Sequence, residues 1–220
     1  MHKTTRGCYT IVELLVVVVI VGILLSVSMS GINRMLGRQG ATGAVRTLSS
    51  QLALARSYAV VKNAYVAILL PDAAMYTDKF DTTPTLQAYL YTKTRVCLVK
   101  DFNITATPPI TPVATFDSWI DGNEWQTLPS GTCASIDTTL GVAQVTDIAF
   151  DGNTGLKSSA IIFKPNGMLG GGYSSTISVF TGKYVPLRGL IYATRAGQRL
   201  GWDLTVNPYT GRTSYEKQSN

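Results

Sequence analysis

A long apolar run stands near the amino end of the 220-residue chain. Residues 9–27 carry a single charged side chain, that of Glu13, among apolar and small residues. At about 1.5 Å of rise per residue, a helix of this run nearly matches the hydrocarbon core of a bilayer, which is about 30 Å thick. The pattern therefore predicts one transmembrane helix over residues 9–29. Lys3 and Arg6 precede it, and such a positive charge bias keeps the amino end on the cytoplasmic side.

The continuation of this helix, residues 30–63, changes character along its length. Glycines at four positions up to residue 43 each weaken a helix by about 1 kcal/mol relative to alanine. Beyond them, apolar residues recur three and four apart, which indicates one helix face packed on a sheet. These residues are Val45, Leu48, Leu52, Ala55 and Ala59. We expect the helix to end near Lys62 and Asn63, because asparagine tolerates the left-handed conformation of a helix cap.

Short segments that are typical of strands fill residues 64–220, separated by Gly, Pro, Asn and Asp. Strands are predicted at residues 65–70, 87–92, 96–100, 112–116, 144–150, 159–164, 176–181, 189–194 and 202–207. Residues 151–153 and 165–167 have the composition of turns, and the second predicts a hairpin. Residues 101–112 are predicted to form an exposed loop. The predicted fold class is α+β, with a long amino-terminal helix packed on an antiparallel, β-sandwich-like head.

The amino end resembles a known export signal. The basic leader, the small residue Cys8, the aromatic Tyr9 and the sequence TIVELL that follows are similar to the class III, or prepilin-type, signal of type IV pilins and type II secretion pseudopilins. The resemblance implies that a prepilin peptidase cuts between Cys8 and Tyr9 and methylates the new amino group of Tyr9. Cys8 stands where the family normally has glycine, so a cut between Gly7 and Cys8 is the alternative.

Glu13 has a physical role in this interpretation, which the resemblance also assigns to it as the assembly carboxylate. A charged residue inside a membrane costs about 2.5–3.5 kcal/mol on insertion scales. When subunits stack within lipid, the ammonium of Tyr9 on one subunit and the carboxylate of Glu13 on its neighbour would neutralise each other. The alternative is that Glu13 reaches into the lipid headgroups without a protein partner.

Further segments resemble the GspH/FimT group of minor pseudopilins. They are LSSQLALARSYAVVKN at residues 48–63, WQTLPSG at 125–131, IIFKPNGMLGGG at 161–172 and TGR at 210–212. The resemblance implies a pilin-like lollipop made of a leader (1–8), a transmembrane helix (9–29), the periplasmic half of that helix (30–63) and a β-rich head (64–220).

The same resemblance implies a function. The chain would be a minor pilin or pseudopilin of a type IV pilus or a type II secretion system, assembling into a periplasmic fibre through its amino-terminal helix. Its partners would be other pilins or pseudopilins, the prepilin peptidase and the inner-membrane assembly platform. It would span the bacterial inner membrane once, with a cytoplasmic amino end and a periplasmic head.

The cysteines favour a disulfide. Of the three, Cys8 belongs to the predicted leader, and Cys97 and Cys133 belong to the exported part. An oxidising periplasm permits a disulfide between these two. The alternative is a pair of separate buried thiols, because sequence spacing does not establish the distance between two cysteines.

The net charge of +6 is unevenly distributed. Residues 72–151 have a net charge of −6, and residues 152–220 have a net charge of +6. Such a division would steer neighbouring subunits or attract an acidic polymer.

The basic part suggests DNA binding as an alternative function. Some FimT proteins bind DNA through a basic tail with a Gly-Arg motif, and Gly211-Arg212 resembles the start of that motif without its second arginine. The candidate DNA-binding residues are Arg195, Arg199, Arg212 and Lys217, with Tyr192, Trp202 and Tyr209 as stacking partners. A solvated basic face is the simpler interpretation.

The sequence gives little support for a metal site or for an enzyme active site. A cluster of oxygen ligands, Asp117, Asp121, Asn123 and Glu124, lacks the alternating spacing of a calcium-binding loop, and turn chemistry explains it better. His2 is the only histidine and lies in the predicted leader. A phosphate-binding G-x-x-x-x-G-K motif is also absent. We therefore expect no enzyme activity, no metal and no cofactor.

Overall fold

The computed structural model describes residues 11–72, 84–104, 112–136, 143–172, 174–185, 188–195, 198–199 and 201–218. Among these, the side chains of residues 22–39, 84–85, 195 and 198–199 are outside the description. The chain divides into two compact units, Met1–Gly37 and Arg38–Asn220. In the first unit, the described residues belong to the helix α1.

Helix α1 runs from Ile11 to Lys62 and ends as its sequence predicts. Asn63 takes the left-handed conformation, with φ of 50°. The Ala64 amide donates to the Ala59 carbonyl at 3.1 Å, and the Asn63 amide donates to the Val60 carbonyl at 3.4 Å. This pair of bonds is the Schellman cap, which satisfies carbonyls that the last helical turn leaves without a partner.

The part of α1 in the second unit buries the predicted face. Val45, Leu48, Leu52, Ala55 and Ala59 are all buried, which confirms the helical spacing in the sequence. The face continues with Ala41 and Ala44.

Two glycines of α1 that the sequence marks as weak points have a packing role. A Cβ on Gly40 would lie 3.1 Å from Thr132 Cγ2, and one on Gly43 would lie 3.2 Å from Pro129 Cγ. The absence of side chains at these two positions therefore lets the loop around Pro129 lie directly on the helix.

The strands form two main sheets. Their bounds are β1 Tyr65–Leu70, β2 Lys93–Ile104, β3 Pro112–Trp119, β4 Gln126–Thr127, β5 Thr132–Ile136, β6 Ala143–Phe150, β7 Asn153–Phe163, β8 Ser175–Val185, β9 Gly189–Tyr192, β10 Thr194–Arg195, β11 Gln198–Arg199, β12 Gly201–Val206 and β13 Thr213–Lys217. A short helix, α2 Pro84–Gln87, precedes β2.

The first sheet closes on itself. Its order is β1-β7-β6-β3-β2-β4, and β1 also pairs with β2, so that β1, β7, β6, β3 and β2 form a barrel. The second sheet has the order β13-β12-β8-β5, with β9 paired to β8. Strand β1 is covered on both faces, by the other barrel strands on one side and by α1 and the second sheet on the other, so Val66 to Leu70 are all buried.

Two hydrophobic clusters fill the second unit. One lies between α1, the outer face of the barrel and the second sheet, and it includes Leu48, Ile68, Phe163, Val179 and Leu204. The other is formed by the opposite faces of the barrel strands. Its buried members are Ala67, Leu69, Leu86, Leu90, Cys97, Val99, Ala114, Val145, Ile148, Leu156, Ala160 and Ile162. Alternation of side chains along β1 sends Ile68 to the first cluster and Leu69 to the second.

The structure corrects the predicted head in several respects. Residues 87–92 form the end of α2 and a turn rather than a strand. The head was predicted to be an antiparallel, sandwich-like sheet, but its first sheet is a barrel that contains one parallel pair, β3 and β6. The turn at residues 165–167 leads only to an isolated bridge between Phe163 and Leu169, and β8 then joins the second sheet. Strands β5 and β13 were not predicted, and β2 extends into the predicted loop as far as Ile104.

Candidate interaction surfaces

The amino-terminal part of α1 exposes its hydrophobic side chains. Those of residues 11–21 have exposed fractions from 46% at Val21 to 86% at Ile11. Glu13 lies in the first helical turn, where the helix dipole favours a negative charge. Among the described residues, no helix has both the length and the hydropathy of a membrane span. The predicted cleavage and methylation positions, Gly7, Cys8 and Tyr9, lie outside the described residues.

The predicted disulfide between Cys97 and Cys133 is not formed, and both residues are buried free thiols. Cys97 lies in β2, paired with β1 and β3 of the barrel, whereas Cys133 lies in β5 and pairs with Phe180 of the second sheet. The alternative of two separate buried thiols is the one observed.

Burial makes both thiols poor acids. It raises the pKa of Cys133 to about 11, an effect partly opposed by a hydrogen bond with the Tyr184 backbone. Burial also raises the pKa of Cys97, and the positive charge of Arg95 opposes this only in part. Since the thiolate is the reactive form, both side chains are protected from oxidation and exchange.

The four candidate DNA-binding residues are distributed over several strands. Arg195 and Arg199 lie on the two-stranded ribbon β10–β11, opposite Gln198 and Thr194, and their side chains are outside the description. Arg212 immediately precedes β13, Lys217 is the last residue of β13, and both are exposed. At 3.4 Å per residue, their Cα atoms are about 17 Å apart. The described positions of Arg212 and Lys217 therefore do not converge on one site.

The aromatic residues predicted as stacking partners are also separated. Tyr192 packs on Phe180, with 4.6 Å between the ring centroids. Trp202 packs edge-on against Tyr215 at 5.8 Å and lies opposite Lys217. Tyr209 lies in the turn that precedes Arg212, with 71% of its surface exposed.

Gly211 has a structural role. Its φ is +63°, and a Cβ at this position would collide with the Gly167 carbonyl oxygen and lie 2.9 Å from Arg56 Cδ. The Gly211 amide donates to the Asn207 carbonyl at 2.8 Å, and Arg56 Nε donates to the Gly167 carbonyl at 3.4 Å. Gly211 thus joins two turns to α1, which accounts for the glycine in the Gly-Arg pair without reference to a ligand.

These contacts assemble a surface that we call the basic corner. It consists of the end of α1, the turn after β7 and the turn before β13, and its cations are Arg56, Lys62, Lys164 and Arg212. The segments 54–64, 164–169 and 207–213 contain no acidic residue. Val61 and Tyr209, which are 75% and 71% exposed, add apolar area to it. The sequence did not predict this surface because its cations are far apart along the chain.

The cluster of oxygen-bearing side chains at residues 117–124 has a structural role. Asn123 is 7% exposed; its Oδ1 accepts from the Val96 amide at 3.3 Å, and its Nδ2 donates to Gln51 Oε1 at 3.4 Å. Lys100 Nζ lies 3.4 Å from Asp117 Oδ1, and Arg95 pairs with Glu124 at 3.9 Å. In the described part of the chain, no group of three or more His, Cys, Asp or Glu side chains is placed to hold a metal ion.

Half-buried aromatic rings gather where β3 and β6 end. Trp125 lies 5.1 Å from Tyr89, 5.8 Å from Trp119 and 5.3 Å from Phe150, measured between ring centroids. Trp119 also donates its indole N–H to the Ala149 carbonyl at 3.2 Å. No local pattern predicts this group, because its members come from a turn, two strands and a loop.

Charged side chains accompany these rings. Lys93 Nζ lies 3.8 Å from the Tyr89 ring centroid, and the Arg95 guanidinium lies 4.0 Å from that of Trp119, as in cation–π pairs. The exposed carboxylates Asp121, Glu124 and Asp151 lie in the loops at the same end of the barrel. We call this surface the acidic aromatic end. Its members are Tyr89, Trp119, Trp125, Phe150, Asp121, Glu124 and Asp151.

Comparison with known proteins gives weak structural similarities. No protein-family model matches the chain, and no curated protein matches it either. Among solved structures, the chain is similar to the type IV minor pilin FimU of Pseudomonas aeruginosa, with 13% identity and a TM-score of 0.41 over 83% of this chain and 90% of that one. It is also similar to the minor pseudopilin EpsH from the Type 2 Secretion System of Vibrio cholerae, with 11% identity and a TM-score of 0.40 over 82% and 98%. Scores of this size are too low to support a functional argument.

Proposed function

We propose that the chain is a minor pilin or pseudopilin, a structural subunit that enters a periplasmic fibre through its amino-terminal helix. The observation that carries the proposal is the row of exposed hydrophobic side chains over residues 11–21, with the single carboxylate Glu13 among them. Burying one Val, Leu or Ile side chain contributes about 1.5–3 kcal/mol. So extensive an apolar surface requires an apolar environment, which lipid and the helices of neighbouring subunits would provide.

In this proposal Glu13 gives the assembly its register. A carboxylate in an apolar environment needs an opposite charge, and the amino group that cleavage before Tyr9 creates on a neighbouring subunit would supply it. The prepilin peptidase and the inner-membrane assembly platform are the other proposed partners. The proposed location is the inner membrane, with a single span, a cytoplasmic amino end and a periplasmic head. The head would act through protein contacts and not through catalysis.

The test uses the full-length chain in a host that has a pilus or secretion assembly system. The mass of the purified protein is expected to show loss of residues 1–8 and one methyl group on Tyr9. Glu13→Ala is expected to reach the membrane normally and to be reduced at least tenfold in the sheared fibre fraction. Glu216→Ala, which removes an exposed carboxylate from β13, is the matched control and should enter fibres normally.

Two results would contradict the proposal. One is a mature protein that still carries its initiator methionine. The other is equal incorporation of the Glu13→Ala and Glu216→Ala variants into fibres.

The basic corner favours a second candidate function, DNA binding during DNA uptake. It presents cations without any acidic residue in its three segments, and Tyr209 offers an exposed ring for stacking. The full-length chain in detergent should then shift labelled DNA at low salt, and Arg212→Glu should abolish the shift. Absence of a shift by the unmodified chain at low salt would refute this candidate.

A further inference from the structure

We propose that the acidic aromatic end of one copy binds the basic corner of a second copy, head to tail. The inference deepens the proposed function and rests on it, because it names the contact by which the heads of fibre subunits would dock. Three features of the described residues support it: the placement of the two surfaces, their chemistry and their charge.

The two surfaces lie at opposite ends of the same barrel strands. Strand β7 begins next to Asp151 and ends next to Lys164. Strand β1, which is antiparallel to β7, begins just after the end of α1 at the basic corner. One copy can therefore offer each surface to a different neighbour at the same time.

The acidic aromatic end is suited to bind cations. Its rings already contact Lys93 and Arg95 within the chain. Of its carboxylates, Glu124 is the one with a resolved ion pair, to Arg95 at 3.9 Å, and the Glu124 side chain keeps 82% of its surface exposed. Aromatic residues and arginine, surrounded by a charged rim, are more frequent in protein interfaces than on the rest of a protein surface.

The basic corner supplies the complementary groups. Arg212 and Lys62 are exposed, and Val61 and Tyr209 provide apolar area that would cover the aromatic rings of the other copy. At the acidic aromatic end the three carboxylates are exposed, whereas the cations Lys93 and Arg95 are half-buried against the rings. The three segments of the basic corner contain no acidic residue, so two unlike surfaces attract each other more than two like surfaces do. The attractive pairing is thus the heterologous one, which leaves a free surface at each end and suits an open fibre rather than a closed dimer.

The test uses charge inversion in the full-length chain, extracted in detergent. One variant carries Asp121→Lys and Glu124→Lys, so that both of its surfaces are basic. The other carries Lys62→Glu and Arg212→Glu, so that both of its surfaces are acidic. A control variant, Lys157→Glu with Lys183→Glu, makes the same charge change as the second variant at exposed residues outside the two surfaces. Melting temperatures establish that each variant is folded.

Self-association is measured by sedimentation at low and high salt. The unmodified chain and the control variant are expected to associate at low salt, with association weakening as salt rises. Each inverted variant alone is expected to show at least a tenfold increase in the dissociation constant. An equimolar mixture of the two inverted variants should restore association, because it pairs a basic surface with an acidic one.

The proposal is overturned if the folded variants fail to restore association in the mixture, or if the unmodified chain does not self-associate. It is also overturned if the basic corner proves to bind labelled DNA while the chain stays monomeric. These results would not contradict the proposed function, which is tested separately by the entry of the Glu13→Ala variant into fibres. Failure of the unmodified chain to enter fibres would instead refute the proposed function.

Discussion

Replacement of Gly211 by alanine is predicted to destabilise the fold more than an ordinary Gly→Ala change does. Two effects act at this position. Gly211 has a φ of +63°, a conformation that costs an L-residue about 1–2 kcal/mol. In addition, the new methyl group would collide with the Gly167 carbonyl oxygen, which accepts the hydrogen bond from Arg56 Nε.

The second effect sets the size of the loss. Forcing a methyl group into a packed site costs about 1–3 kcal/mol, since the neighbouring backbone must move. Together with the backbone strain, Gly211→Ala should lower the free energy of unfolding by about 2–5 kcal/mol. The turn would shift away from α1 and weaken the contact between Arg56 and Gly167.

Gly152→Ala is the matched control. Gly152 has a φ of +73°, and a Cβ there would meet no heavy atom within 4 Å. Gly152→Ala should therefore lower the free energy of unfolding only through backbone strain, by about 1–2 kcal/mol. The change of the unfolded chain from glycine to alanine is the same in both variants and cancels in the comparison.

The assay is urea denaturation of the detergent-extracted chain, followed by tryptophan fluorescence. Gly211→Ala is expected to have a clearly lower midpoint than Gly152→Ala. Equal midpoints would refute the collision and with it the structural explanation of the Gly-Arg pair. If the explanation holds, loss of DNA binding in a Gly211 variant would reflect a displaced turn and not a lost DNA contact.

Three further predictions concern the core and its buried groups. Leu52→Ala, at the buried face of α1, should lower the free energy of unfolding by about 2–5 kcal/mol. Leu54→Ala, two residues away and 40% exposed, should lower it by under about 1 kcal/mol. Similar losses in the two variants would contradict the assigned helix face. Asn123→Ala leaves the buried Val96 amide without its acceptor and should lower the free energy of unfolding by about 1–3 kcal/mol. Thermal melts measure this loss, and Asp121→Ala, at an exposed position, is the control variant that should leave stability unchanged. The pKa of Cys133 is about 11 in the folded protein against 9.0 ordinarily, so the unfolded chain loses this proton first and stability should fall as pH rises from about 9 to 11. That fall should be smaller in Cys133→Ala, and an equal fall in both proteins would contradict the burial of this thiol.

Local patterns predicted α1 and several strands well. The buried face from Val45 to Ala59 and the cap at Asn63 depend on spacing of 3.6 residues and on the conformational tolerance of one residue, and both are properties of a short segment. Strands β1, β6 and β12 lie close to their predicted bounds for the same reason.

Other features depended on partners that are far away in the chain. Residues 87–92 have the composition of a strand, yet they form a turn whose Tyr91 amide donates to the Pro71 carbonyl. Strand β13 is largely exposed and has no apolar alternation, so only its pairing with β12 defines it. Both cysteines lie in the predicted exported part, where a disulfide is permitted, but they belong to different sheets.

Four features could be predicted from local sequence alone: the helix, its buried face, the apolar run that contains Glu13, and the division of charge between residues 72–151 and 152–220. Each of these follows from neighbouring residues or from a sum over them. Closure of the barrel, the separation of Cys97 from Cys133 and the gathering of the acidic aromatic end and the basic corner were decided by tertiary structure. They depend on strand register and on contacts between distant segments, which no local pattern encodes.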